Sequence, residues 1–359
     1  MTTVIYAVLV LGALIFFHEL GHFAVARWLG MGVSRFSLGF GPRLCGLKRG
    51  QTDYCLSLVP LGGYVALVGE SDENDIPEGF TARESFSLRP AWQRLLVVAA
   101  GPLANLLLAW LLCWGLAWGW GETRILPDIG AVLENSAAQE AGIQAGDRVI
   151  SVDGRPVATW KEMGDAIAAS EGAPLHFELK RGDDTISVTL TARESVRKTI
   201  FGEDEKAWVA GVRSSGAFEI EPLSFWQAAH AGTARTWELI DLTWQGFVKL
   251  AQRVVPMDQV GGPIMIAQLV GQSAEAGLAA VLGLAALISI NLGILNLLPV
   301  PVLDGGQIVF CLLEMLFRRP LNERARGIAM RVGFFLLVAL MILATYNDIA
   351  RIVKTWTAG

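Results

Sequence analysis

Histidine and cysteine, two of the side chains that bind zinc most often, are scarce in this sequence of 359 residues. Only four histidines are present, and two of them, His176 and His230, have no histidine near them in sequence. The four cysteines include no C-x-x-C pair, so we expect reduced or buried thiols and neither a disulfide framework nor a cysteine metal cluster. A zinc site would therefore need the other two histidines and a third ligand of another kind.

Charge is also scarce, at 18% of the residues, whereas 53% are hydrophobic and the mean hydropathy is +0.45. This composition is too apolar for an ordinary soluble enzyme, and it predicts several membrane spans together with a soluble part. The formal net charge of −5 argues against nucleic acid as a partner. We therefore expect a lipid bilayer to surround much of the chain.

Four apolar runs are long enough to cross a bilayer, which takes about 20 residues each. They cover approximately residues 4–28, 95–120, 278–298 and 332–349. The first run has no basic segment before it, so we interpret it as a retained transmembrane helix and not as a cleaved signal peptide. The predicted fold class is a multi-pass α-helical membrane protein with four transmembrane helices.

Basic residues in the short loops predict how these spans are oriented, because loops rich in Lys and Arg stay in the cytoplasm. One basic cluster follows the first span and another separates the third span from the fourth: Arg27, Arg35, Arg43, Lys48 and Arg49, then Arg318, Arg319, Arg324, Arg326 and Arg331. The N-terminus, the insert between the second and third spans, and the C-terminus are then predicted to face outward.

The first span carries an H-E-x-x-H pattern, His18-Glu19-Leu20-Gly21-His22, among apolar neighbours. On a helix, His18 and His22 lie one turn apart on the same face, where two imidazoles can hold Zn²⁺ while Glu19 acts as general base. An ionisable residue inside a span costs roughly 2.5–3.5 kcal/mol on insertion scales and is kept mainly for function. This context favours a zinc-dependent hydrolase over two buried core histidines.

The third span ends in a polar, helix-breaking segment that can supply the missing ligand. Asp304 follows Pro299 and Pro301 and precedes two glycines. Because the first and third spans both run from outside to inside, we expect Asp304 at the same end of the bundle as His18 and His22. Three protein ligands leave one coordination position open, as catalytic zinc requires. The alternative is that Asp304 only caps the helix that follows it.

Two asparagines in the same span, Asn296 and Asn291, are candidates for contact with a substrate. A hydrogen bond between helices of the bundle explains Asn296 nearly as well. Asn291 is the weaker candidate of the two.

The segment between the first two spans, about residues 33–70, alternates turn signals with short runs typical of strands. We predict β structure that dips toward the membrane, with a small hairpin on the membrane surface as the alternative. In the outward insert, residues 129–193 alternate predicted strands and short helices, which is typical of one small α/β module. Residues 222–255 have apolar residues at helical spacing, which fits an amphipathic helix on the outer interface or a long packed helix equally well.

The paired motifs at 18–22 and 296–306 resemble the two signatures of the site-2 protease family of intramembrane zinc metalloproteases. The order of parts is similar to the bacterial RseP-type branch. Residues 39–42 and 60–65 resemble its membrane-associated β region, and Arg94 with residues 100–105 resembles its second-span motif. Residues 128–193 resemble a single PDZ domain of the bacterial protease type, where some relatives carry two in tandem.

This resemblance implies that His18, His22 and Asp304 are zinc ligands and that Glu19 is the catalytic base. It also implies that Asn296 contacts substrate and that the strand around Gly62, Gly63 and Tyr64 holds the substrate in extended form. The predicted domains are a membrane part at 1–121, a PDZ domain at 122–195, a linker with an amphipathic helix at 196–256 and a second membrane part at 257–359.

The predicted function is a zinc-dependent endopeptidase that cleaves single-span membrane proteins within the bilayer, in regulated intramembrane proteolysis. Anti-sigma factors and remnant signal peptides are the substrates the resemblance implies. We expect a bacterial inner membrane, an active site near the cytoplasmic side, and an outward PDZ domain that gates access or binds a peptide C-terminus. The alternatives are a non-catalytic PDZ adaptor with a structural metal, which needs no Glu19, and a metal transporter, which needs a second set of intramembrane acids.

Overall fold

The computed structural model describes residues 2–70, 76–319 and 322–358. Within these ranges the helices are α1 Thr2–Trp28, α2 Ala91–Trp120, α3 Ala137–Glu140, α4 Trp160–Ala169, α5 Phe225–Ala251, α6 Pro263–Ala276, α7 Leu278–Leu297, α8 Asp304–Phe317 and α9 Glu323–Ala358. The strands are β1 Val33–Arg49, β2 Thr52–Leu67, β3 Glu122–Ile125, β4 Ile129–Val132, β5 Arg148–Val152, β6 Arg155–Pro156, β7 Pro174–Arg181, β8 Asp184–Thr191, β9 Arg193–Lys198, β10 Asp204–Val209, β11 Val212–Ser214 and β12 Phe218–Glu221.

Four helices, α1, α2, α7 and α9, are long and apolar enough to cross a membrane. They coincide with the four runs predicted from the sequence, although α9 begins nine residues before the predicted start at residue 332. Apolar side chains on their outer faces are exposed, such as Val4 and Leu9 on α1 and Phe335 on α9. In a bilayer these faces meet lipid, so the exposure is expected of an integral membrane protein.

The chain folds into two compact units. The first unit comprises residues 1–116, 230–248 and 256–359, and it contains α1, α7, α9 and most of α2 together with β1 and β2. The second unit comprises residues 117–229 and 249–255.

Strands β1 and β2 both bend, so that they form four strand segments joined by three ladders. Residues 33–38 pair with 63–67 on one side and with 53–56 on the other, while 43–49 pair with 52–57. The bend in β1 needs Gly39, which has a φ of +94° and whose added Cβ would lie 2.9 Å from the carbonyl oxygens of Ser57 and Val59. Within the described ranges residues 63–67 pair with a strand on one side only, so they lie at an edge of the sheet.

This β region packs against α1 at the level of the histidine motif. The Phe36 ring lies 5.6 Å from the Phe16 ring and 5.4 Å from the Phe23 ring, centroid to centroid. Because Phe16 and Phe23 lie in the apolar first span, the contact favours β structure associated with the membrane helices over a separate surface hairpin.

Helix α5 packs along two of the spans. The Thr243 hydroxyl donates to Asn291 Oδ1 of α7 at 2.8 Å, and the Trp110 indole N–H of α2 donates to the Thr233 hydroxyl at 2.9 Å. A Cβ on Gly232 would lie 2.6 Å from the Trp114 Cα, so the two helices touch backbone to backbone. Of the two interpretations of residues 222–255, the structure supports the packed helix.

The sequence analysis missed α6. This helix begins where the buried carboxylate of Asp348, on α9, accepts hydrogen bonds of 3.0 Å from the backbone N–H groups of Gly262, Ile264 and Met265. The residue that caps this helix lies more than 80 positions away in sequence. The local signal is limited to Pro263 at the first helical position.

The second unit is built around a four-stranded sheet of order β6-β5-β7-β8, with α3 and α4 capped by Ser136 and Thr159. These elements match the predicted strands and helices of the α/β module. Its core also includes Trp208, Ala210 and Val212, and β11 pairs with β4. The compact unit therefore extends beyond residue 195, the predicted domain boundary, because a later strand completes it.

Candidate metal centre

Helix α1 brings two imidazoles together. His18 and His22 are one turn apart, and their Nε2 atoms lie 3.3 Å from each other. The rings are nearly perpendicular, at 86°, with centroids 4.8 Å apart. Both Nε2 atoms therefore point to one common position, as two ligands of a single ion must.

Asp304 completes the cluster from the start of α8. Its Oδ2 lies 3.2 Å from His18 Nε2 and its Oδ1 lies 3.6 Å from His22 Nε2. One ligand atom from each of the three residues falls within 4.8 Å of the others. The prediction that a carboxylate from the third-span segment reaches the two histidines agrees with this geometry.

Two glycines allow the chain to turn tightly into α8. A Cβ on Gly305 would overlap the carbonyl oxygens of Leu297 and Leu298, and one on Gly306 would overlap that of Val300. Asp304 is the first residue of α8, whereas Leu303 holds the N-cap position. The alternative that Asp304 serves as the N-cap is therefore wrong.

The Asp304 carboxylate remains ionised in this setting. Burial would raise its pKa, but the interactions with His18 and His22 together outweigh burial and hold the pKa at about 2. A deprotonated carboxylate beside two imidazoles is the donor set of catalytic zinc sites with two nitrogen ligands and one oxygen ligand.

Helix α2 crosses α1 directly at the histidines. A Cβ on Gly101 would lie 2.9 Å from His18 Cε1 and would overlap His22 Nε2. On the α1 side, a Cβ on Gly21 would overlap the Ala100 carbonyl oxygen. Glycine at both positions lets the helices approach closely enough for α2 to contact the rings.

Groups on α2 face the Nδ1 atoms of both rings, on the side away from the Asp304 carboxylate. His22 Nδ1 donates to the Val97 carbonyl oxygen at 2.8 Å, and the Asn105 amide nitrogen lies 3.4 Å from His18 Nδ1. The other side-chain atom of Asn105, Oδ1, is buried and has no hydrogen-bond partner in the described part of the chain. Such outer contacts commonly orient imidazoles that bind metal, so these residues fit a zinc ion.

A cavity of about 210 Å³ opens onto His18, His22, Asp304 and Glu19. The backbone N–H of Val65, in the edge segment of β2, faces the Glu19 carboxylate within hydrogen-bonding reach. A Cβ on the neighbouring Gly63 would lie 3.2 Å from Glu19 Cγ. The edge of the β region therefore touches the candidate base.

Of the five predicted substrate contacts, those in β2 lie at this cavity or beside it. Tyr64 lines it, and Gly63 adjoins Glu19. Gly62 lies under Phe40, because a Cβ there would overlap the Phe40 ring, which stacks on the Tyr64 ring at 6.2 Å.

The two predicted asparagines do not line this cavity within the described ranges. Asn291 accepts a hydrogen bond from Thr243 of α5. This is a contact between helices, of the kind that the sequence predicted as the alternative for Asn296. A substrate contact by Asn296 stays a prediction.

Sequence reasoning missed three polar residues that also line the cavity: Glu70, Gln307 and Arg326. Arg326 donates to Gln307 Oε1 at 3.0 Å. These residues come from three separate segments, so no pattern in the sequence connects them.

A membrane-spanning helical bundle with two histidines, an aspartate and a glutamate at one cavity defines the class of membrane metalloproteases. The model of peptidase family M50 matches residues 6–340, and the chain belongs to this family.

Curated relatives agree with this assignment. A protein named "putative zinc metalloprotease" from Agrobacterium fabrum is 36% identical over 96% of this chain and 95% of its own length. A protein with the same description from Rhizobium meliloti is 35% identical over 94% of this chain and 93% of its own length. One from Campylobacter jejuni is 36% identical over 96% of this chain and 93% of its own. The protein is thus an integral membrane zinc metalloprotease, as the sequence predicted.

Proposed function

We propose that His18, His22 and Asp304 hold the zinc ion and that Glu19 is the general base of peptide-bond hydrolysis. The observation that carries this proposal is the convergence of three ligand atoms within 4.8 Å beside the carboxylate of Glu19. The ion, when bound, supplies a Lewis acid that polarises a carbonyl group and acidifies a water molecule.

The protein residues have distinct tasks in this reaction. Glu19 takes a proton from the attacking water and returns it to the leaving amine. The Val65 N–H restrains the Glu19 carboxylate, which keeps the base directed at the cavity. The ionised Asp304 balances part of the positive charge that the two imidazoles share with the ion.

The substrate class follows from where the site lies. His18 and Glu19 belong to a span, so a peptide bond that reaches them comes from within or beside the bilayer. The edge at residues 63–67, which has no second strand beside it in the described ranges, can pair with an extended segment. A transmembrane helix must unwind before its backbone can be cut. The proposed substrates are single-span membrane proteins, of the anti-sigma factor or remnant signal peptide type, in regulated intramembrane proteolysis.

The decisive variant is Glu19→Gln, which keeps the shape of the side chain and removes its basicity. We expect a loss of at least 10²-fold in cleavage of a single-span reporter, because a positioned base contributes about 10²–10⁴-fold. Zinc content should stay at one ion per chain. The matched control is Glu275→Gln, at an exposed glutamate on α6, which should cleave like the wild type.

The same experiment tests the alternative of a non-catalytic adaptor. An adaptor with a structural metal would keep its activity and its metal in the Glu19→Gln variant. Unchanged reporter processing in the Glu19→Gln variant, with the metal retained, would contradict the proteolytic role.

We also propose that the second unit acts as a PDZ-like module that binds a peptide C-terminus or gates access to the site. Within the described ranges β11 pairs with β4 alone, which leaves its other edge available for an added strand. Trp208, just before β11, contacts Gly172, just after α4, so this edge begins near the end of a helix. A fluorescent peptide with a free C-terminal carboxylate should bind the full chain, and its amidated form should bind at least tenfold more weakly.

The proposed membrane is the bacterial inner membrane, with the zinc site toward the cytoplasm and the second unit outside. A natural reporter is available, because Cys45 in the β region is exposed whereas Cys55, Cys113 and Cys311 are buried. A maleimide that cannot cross membranes should label Cys45 only after spheroplasts are permeabilised. Labelling of intact spheroplasts at Cys45 would reverse the proposed orientation.

A further inference from the structure

Asn105 is a polar side chain buried in the middle of the second span, and it lies beside His18. It is 1% exposed, and its backbone carbonyl accepts a hydrogen bond of 2.8 Å from the buried Ser289 hydroxyl of α7. This bond fixes the backbone at Asn105 but does not involve the amide. The amide itself contacts His18 Nδ1, on the side of the ring away from the metal position.

The two imidazoles have matching surroundings on α2. His22 donates its Nδ1 proton to the Val97 carbonyl, which leaves its Nε2 lone pair free to face an ion. His18 requires the same arrangement, with a proton on Nδ1 and an acceptor beside it. The only side chain that an observed hydrogen bond places at His18 Nδ1, within the described ranges, is Asn105.

The end of the amide that faces the ring determines which nitrogen of His18 carries the proton. With the amide nitrogen facing Nδ1 at 3.4 Å, Nδ1 must accept, and the proton of a neutral ring sits on Nε2, toward Asp304. Half a turn about the last side-chain bond instead presents Oδ1, which is buried and unpartnered in the described structure. The carbonyl end then accepts from Nδ1–H and frees the Nε2 lone pair.

We infer that Asn105 is a positioning residue for the zinc site, whose carbonyl oxygen accepts the Nδ1 proton of His18 and so selects the ring form that binds the ion. Helix α2 then orients both histidines, one through a backbone carbonyl and one through a side chain. This inference rests on the proposed role of His18 as a ligand.

Two nearly isosteric variants test the inference. Asn105→Asp keeps an acceptor beside His18, whereas Asn105→Leu removes it and keeps the volume. The zinc dissociation constant of each purified full-length protein is measured by competition with a chelator, together with kcat and KM for a single-span reporter. The thermal midpoint of the metal-free protein reports on folding. Ser289→Ala is the matched control, because it removes the bond from α7 to the Asn105 backbone carbonyl and leaves the Asn105 amide in place.

We expect Asn105→Leu to weaken zinc binding by about 10–100-fold and to lower kcat with little change in KM, since loss of such outer contacts has that effect. Asn105→Asp and Ser289→Ala should stay within a few-fold of the wild type. Wild-type zinc affinity in Asn105→Leu would overturn the inference. So would a loss of zinc affinity in Asn105→Asp or Ser289→Ala as large as that in Asn105→Leu, if the thermal midpoint of the metal-free protein were unchanged. A wild-type protein that holds no zinc, or holds it equally after His18→Ala, would instead refute the proposed ligands themselves.

Discussion

The crossing of α1 and α2 at Gly101 gives the sharpest mutational prediction. In Gly101→Ala the new Cβ would lie 2.9 Å from His18 Cε1 and would overlap His22 Nε2. Carbon atoms in contact are normally 3.5–4.0 Å apart, so the His18 ring must move by about 0.6 Å or more and the His22 ring farther. Both rings serve one ion, and therefore both ligand positions are disturbed by one methyl group.

A displacement of about 1 Å in a catalytic arrangement can cost 10²-fold in rate. We therefore expect Gly101→Ala to lower reporter cleavage by at least 10²-fold and to weaken zinc binding, measured by chelator competition. The loss cannot come from helix propensity, because alanine favours a helix by about 1 kcal/mol over glycine.

Gly115→Ala is the matched control, since Gly115 lies on the same helix with nothing within 4 Å of its added Cβ. This variant should keep wild-type zinc affinity and activity. Wild-type behaviour of Gly101→Ala, or equal damage from Gly115→Ala, would refute the proposed close packing at the site.

Three further changes test other contacts. Gly63→Val places the Cβ of a branched side chain 2.9 Å from the Ser37 carbonyl oxygen of β1 and 3.2 Å from Glu19 Cγ, so reporter cleavage should fall while zinc content, measured by atomic absorption, stays at wild type; loss of zinc would contradict a disturbance confined to the base and the β region. Glu314→Leu breaks the buried ion pair with Arg94 that joins α8 to α2 and should lower the thermal midpoint, since leaving one buried charge unpaired costs about 3–5 kcal/mol; an unchanged midpoint would contradict this. In the second unit, the hydrogen bonds from Arg181 lower the pKa of the buried Asp147. The stability that this carboxylate contributes is therefore present above its ordinary pKa near 3.9 and is lost as the pH falls through its lower pKa in the folded protein. Asp147→Asn should therefore lower the free energy of unfolding by roughly 1.5–3 kcal/mol at pH 7 in calorimetry of the full chain, and the difference should shrink in acid; a difference independent of pH would contradict the assigned cause.

The spans and the histidine pair of the proposed metal site could be predicted from the sequence because their signals are local. An apolar run of about 20 residues is visible without any partner, and so is the spacing of His18 and His22 on one helix face. The position of Asp304 could be predicted from the order of the spans, since two spans that run in the same direction end on the same side of the membrane. Span order is visible in the sequence without atomic detail.

Other parts depend on partners far away in sequence. The start of α6 is capped by Asp348 from α9, and residues 63–67 become a sheet edge only because β1 and β2 bend. The predicted end of the module at residue 195 left out β11, which completes the unit by pairing with β4. Asn105 and Gly101 lay in a recognised motif, but their contacts with the histidines follow from the helix crossing, which the sequence does not specify.

X-ray absorption at the zinc edge of the purified protein tests the central claim most directly. Our account predicts a shell of imidazole nitrogens and carboxylate oxygen at about 2.0–2.2 Å, with the metal lost or the shell changed in Asp304→Ala. A sulfur shell at about 2.3 Å, or a spectrum and zinc content untouched by Asp304→Ala, would contradict it.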